Sequence, residues 1–155
     1  MFLGPLILAV DPQPGMWIIW QDCIWEDAVF GRAVLPVGFR TDLASTPQFM
    51  RSSAEFDPTG ISRLPSAFHD GAYARLWGWT KDKADLFLRA ALTVAGASPE
   101  LAEMYYQGVR LFGADSWAAD DGALKTRDFD TPQHYQDWLT TVKPITDSNL
   151  VKLGV

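Results

Sequence analysis

The chain has a single cysteine, Cys23, so it can close no internal disulfide and cannot assemble a cysteine-based zinc site. Cations are also scarce. Thirteen Lys and Arg stand against 19 Asp and Glu, a net charge of -6, which argues against a surface built to neutralise a phosphate backbone and so against nucleic acid as a partner. No apolar run approaches the roughly 20 residues that a bilayer crossing needs, so no transmembrane segment is expected. Met1 to Val10 is apolar but lacks Lys and Arg and contains Pro5, which is not the pattern of a secretory signal. What is present is core material: 48% of the 155 residues are hydrophobic and 13% aromatic, enough for one soluble globular domain over residues 1–155.

Residues 1–45 read as mainly β, because Trp17, Ile18, Ile19, Trp20, Ile24 and Trp25 suit a pleated surface and Pro/Gly clusters break the runs. Two or three antiparallel strands are expected. The run from Arg32 to Arg40 contains Pro36, which cannot donate to a ladder, so that strand lies at an edge or bends there. Residues 46–62 turn to Pro, Ser, Gly and charge and read as a long loop. Residues 63–113 read as three helices. The first runs from near Pro65 to about Trp77, before Gly78, and the second from an N-cap at Thr80 to Gly96. The third opens at Ser98-Pro99-Glu100 and places Leu101, Met104, Tyr105, Gly108, Val109 and Phe112 on one face. Residues 114–155 read as loop, a short helix opening at Thr131-Pro132, and tail. The fold class is therefore α+β, with a small antiparallel sheet in the N-terminal half packed on a three-helix C-terminal half.

Chemistry concentrates in His69-Asp70-Gly71-Ala72-Tyr73, where His69 and Tyr73 lie one turn apart on one face and Asp70 points about 100° away. An imidazole there could take a proton from water, and Asp70 could hold a cation. The plainer reading makes His69 a core histidine and Asp70 a partner for a nearby loop. Asp85 sits at the margin of the apolar stripe of the second helix, and a carboxylate so placed needs donors. His69 and Tyr73 would serve, fixing the histidine tautomer. Alternatively, Asp85 only favours the positive end of its helix. Thr41, Asp42 and Ser45 follow the expected edge strand. Asp42 could share a cation with Asp70, or Asp42 and Ser45 could close a local turn. Arg110 points away from the apolar face of its helix, to pair with one of these carboxylates or a substrate anion, or simply with solvent. Trp77, Trp79 and Trp117 are candidates for a wall beside the site or for ordinary core.

Four ordered motifs stand out. They are Gly38-Phe39, Thr41-Asp42, Ala44-Ser45 and Pro47; then His69-Asp70 with Tyr73; then Ala84-Asp85; then Val109-Arg110 with Gly113. Together they resemble a family of uncharacterised proteins of tailed bacteriophages and prophages, over about residues 30–115. The resemblance implies a place in the virion or the bacterial host cytoplasm, and other virion or tail proteins or further copies of the chain as partners. The His-Asp-x-x-Tyr helix is also similar to that of secreted-type phospholipases, whose second helix supplies an aspartate to the histidine. That likeness implies His69 as base, Asp85 and Tyr73 as its orienting pair, and Asp70 as a ligand of calcium. The flanking cysteines and Gly-rich calcium loop of those enzymes are absent here, and Asp42 would stand in for the missing ligands.

Two functions follow as expectations. In one, a metal-assisted hydrolase of cell-envelope esters or amides uses His69, Asp85 and Tyr73 on water, with calcium or magnesium on Asp70 and Asp42, and Thr41, Ser45 and Arg110 in support. In the other, a non-catalytic virion or tail component uses the same polar groups to lock its loop to its helices. A cleft should leave His69 and Asp70 open to solvent, whereas a lock should bury them with their hydrogen bonds satisfied.

Overall fold

The structure is a computed structural model that describes residues 1–11, 14–43 and 60–119. Its strands are β1 (Phe2–Leu3), β2 (Leu8–Val10), β3 (Trp17–Ile19), β4 (Cys23–Asp27), β5 (Gly31–Leu35) and β6 (Arg40–Thr41). Its helices are α1 (Arg63–Tyr73), α2 (Lys81–Val94), α3 (Pro99–Phe112) and α4 (Ala114–Ala119). Strands precede helices throughout the described residues, an α+β arrangement. The expected single sheet is two antiparallel three-stranded sheets, ordered β1-β4-β5 and β2-β3-β6. Pro36 is the reason. It ends the edge strand β5, Gly38 then takes a φ of 89°, and the chain crosses to the second sheet as β6 instead of continuing one long strand.

Alternation along β4 buries Cys23 and Trp25 and exposes Glu26. Trp25 meets Phe2 and Phe87 edge-on, each with ring centroids 4.9 Å apart, and Phe68 on α1 joins the same cluster. Gly71 lets α1 approach this layer: a Cβ there would lie 2.7 Å from Leu35 Cδ2 and from the ring of Trp77. Helix α2 carries Phe87 into the aromatic cluster and Leu88 and Leu92 into a second one shared with α3. Thr80 and Ser98 cap α2 and α3 as their positions imply, accepting from the backbone N–H of Lys83 and Leu101.

Helix α1 is displaced from its expected bounds, ending at Tyr73 and not at Trp77. Arg75 adopts a left-handed φ of 64°, its N–H bonds the Ala72 carbonyl, and the Leu76 N–H bonds that of Gly71, which is a Schellman stop without glycine. The guanidinium holds that conformation by donating to Trp117 O at 2.8 Å and lying 3.1 Å from the centre of the Trp117 indole. Trp117 belongs to α4, a helix where the sequence reading expects a loop. Of the expected loop over residues 46–62, residues 46–59 lie outside the described residues, as does the expected short helix opening at Thr131-Pro132.

Candidate functional site: a buried aspartate with three donors

Asp85 lies in the first turns of α2 with its side chain fully buried, facing α1. Its Oδ1 accepts from the Tyr73 hydroxyl at 2.9 Å and lies 3.2 Å from His69 Nε2. Its Oδ2 accepts from Lys81 Nζ at 2.6 Å. An ionised carboxylate only accepts, so Nε2 of His69 carries a proton and donates it to Asp85. His69 and Tyr73 stand side by side, ring centroids 4.3 Å apart, as the one-turn spacing predicts.

Burial works to raise the Asp85 carboxyl, but the bonds from His69, Lys81 and Tyr73 outweigh it and hold the group below the ordinary carboxylate range. Burial, followed by the neighbouring Asp85 charge, pushes the Tyr73 phenol far above its usual value, so it remains a donor. Lys81 is the donor of this network that the sequence reading misses. Its one signal is the four-residue spacing to Asp85, ordinarily a sign of a solvated helix pair. Lys81 also donates to the Val109 carbonyl at 2.9 Å, joining the start of α2 to the end of α3. Gly113 closes this corner, because a Cβ on it would come within 2.5 Å of the Tyr73 hydroxyl oxygen.

Asp70 is buried on the next face of α1, where its Oδ2 accepts from Thr41 Oγ1 at 2.5 Å. The Leu43 N–H in turn donates to Thr41 Oγ1 at 2.9 Å, a local turn at the end of β6 in which Leu43 takes a φ of 57°. The structure thus brings His69, Tyr73 and Asp85 into one network and places Thr41 on Asp70. Asp42, one residue on, is exposed. Ser45 lies outside the described residues. Arg110 turns to the Tyr106 hydroxyl at 3.2 Å and to Asp82 at 3.7 Å, so the carboxylate it pairs with is neither Asp42, Asp70 nor Asp85. Trp77 and Trp79 pack on the aromatic core, while Trp117 meets Tyr73 edge-on at 5.1 Å.

A hard cation such as calcium takes six to eight oxygens. Among the described residues no three His, Cys, Asp or Glu side chains gather into a group able to hold a metal ion, and Asp70 is engaged by Thr41. Among those residues, too, no helix is long and apolar enough to cross a membrane.

A search of curated proteins found no match, and a search of solved structures found none either. A family model, described as a protein of unknown function (DUF1353), matches residues 17–109. That stretch is more than half of the chain and holds Thr41, His69, Asp70, Tyr73, Lys81 and Asp85, and the chain therefore belongs to the DUF1353 family.

Proposed function

We propose that the protein is a hydrolase of esters or amides, with His69 as general base and Asp85 and Tyr73 as the pair that orients it. One observation carries this reading: His69 Nε2 and the Tyr73 hydroxyl converge on the same oxygen of a fully buried carboxylate. That arrangement fixes the tautomer, aims Nδ1 away from Asp85 and stabilises the imidazolium that forms when water gives up a proton. Water would attack the carbonyl carbon as its proton moves to the His69 imidazole. The tetrahedral intermediate would collapse by expelling the alcohol or amine, which takes that proton back. No step is routed through a cation: among the described residues no three His, Cys, Asp or Glu side chains gather into a group able to hold a metal ion. The similarity of the His-Asp-x-x-Tyr helix to that of secreted-type phospholipases supports the same roles, as an analogy of site. The ordered motifs support a phage setting, in which envelope esters and amides are the substrates at hand.

A second reading, the lock, meets the criterion of solvent access that the hydrolase reading does not. His69 is 3% exposed and Asp70 6%, and the polar atoms of Asp85 are fully engaged, as a lock between loop and helices requires. A panel of acyl esters, phospholipid vesicles and peptidoglycan fragments, assayed with and without added calcium, separates the two. The hydrolase reading expects turnover that His69→Ala reduces by about a hundredfold or more. Turnover that survives this substitution, or none on any substrate, leaves the lock.

A further inference from the structure

Lysine is the wrong residue to open α2. A cation in the first turn opposes the positive end of the helix dipole, and Lys before Asp at this spacing is the less favourable order for an ion pair. Asp82 in the same turn already supplies the acid that this end prefers. A residue set against local preference marks a demand from elsewhere, and here the demand is visible. Lys81 Nζ lies between Asp85 Oδ2, at 2.6 Å, and the Val109 carbonyl near the C-terminus of α3, where positive charge is favourable. Its side chain is only 20% exposed.

The geometry points to Lys81 as the positioning residue of the His69 centre: by gripping Oδ2 against the end of α3, it keeps Oδ1 turned to His69 and Tyr73. A carboxylate turns about its Cβ–Cγ bond with both oxygens moving together, and the contacts on Oδ1 resist that turn at one oxygen only. The third contact, from another direction, stops it. This assignment gives a role to Val109 of the fourth motif, whose carbonyl is the second anchor of the grip, while the missing side chain of Gly113 leaves room for the Tyr73 hydroxyl. It deepens the hydrolase reading and rests on it for any effect on turnover, but the effect on the imidazole is independent of catalysis.

The test is the ring nitrogen spectrum of His69 near neutral pH. The chain has two histidines, so His134→Gln assigns the signals. The unsubstituted chain should show a ring protonated on Nε2, with a slowly exchanging Nε2 proton. Lys81→Met should give mixed tautomers and lose that proton signal, and Lys81→Arg, which keeps a donor and a charge, should restore much of it. An unchanged spectrum in Lys81→Met overturns the assignment. Should Lys81→Met fail to fold by circular dichroism, the unmodified protein still decides. A hydrogen-bonded Lys81 ammonium gives a protected side-chain signal at neutral pH, and its absence overturns the assignment. On a turned-over ester, Lys81→Met should lower kcat about tenfold or more with KM changed by less than about twofold. If no ester or amide is cleaved but the imidazole responds as stated, the hydrolase reading falls and the positioning role stands.

Discussion

Replacing Asp85 by Asn keeps the shape of the side chain and removes its charge, which makes it the sharpest probe of the buried centre. The carboxylate accepts from His69, Tyr73 and Lys81, all three as an acceptor. An amide has one accepting oxygen, so its NH2 must face at least one donor, and the Lys81 ammonium loses its counter-ion. Breaking one side of a buried ion pair typically costs about 3–5 kcal/mol. Because Lys81 retains some solvent and the Val109 carbonyl, the lower end applies, about 3 kcal/mol. A chain of this length loses roughly 2–4 °C of Tm per kcal/mol, so the midpoint should fall by roughly 6–12 °C. Urea unfolding followed by tryptophan fluorescence and circular dichroism measures the difference directly. The pH dependence has a definite sign. The folded carboxyl is held below its unfolded value, so its contribution is complete above the unfolded value of about 4. It is lost as pH falls through the lower folded value, and the gap between the native protein and Asp85→Asn must shrink there. A cost under about 1 kcal/mol at neutral pH, or a gap that widens on acidification, would refute the account of Asp85 as a charge held by its donors.

Two further substitutions test the surroundings. Gly113→Ala drives a methyl group against the Tyr73 hydroxyl and the Val109 carbonyl and should cost about 1–3 kcal/mol. In a Tyr73→Phe background, where that hydroxyl is gone, the cost should drop, which a double-mutant cycle by urea unfolding reads out. At the end of α1, Arg75→Ala loses the Trp117 contacts and keeps the left-handed backbone, whereas Arg75→Gly loses the same contacts and relieves the strain. Arg75→Gly should therefore be the more stable of the two by about 1 kcal/mol, and equal midpoints would contradict the stop described for this helix.

The legible parts of this fold were those written in local chemistry. Thr80, Ser98, Pro99 and Gly113 bound α2 and α3 where capping rules place them. Pro36 marks the break in the strand run for the same reason. The end of α1 escaped because its left-handed stop is an arginine held by an indole 42 residues away, and nothing near Arg75 announces that contact. The split into two sheets is equally non-local, since β3 pairs with both β2 and β6. At the site, the one-turn spacing of His69 and Tyr73 and the semi-apolar setting of Asp85 sufficed to bring the three together. Lys81 stayed hidden because a lysine four residues before an aspartate normally points to water, and only the approach of α3 turns it inward.

Helix α2 has a mechanical consequence of its own. Phe87 is wedged among the rings that seal the N-terminal layer, and Leu88, the adjacent residue, is wedged into the helical hairpin. One rod is thus shared by both hydrophobic compartments, with Asp85 one turn or less from each anchor, so neither compartment can loosen without dragging the other. Amide protons along this rod should exchange only when both compartments open together, making it the slowest-breathing segment among the described residues.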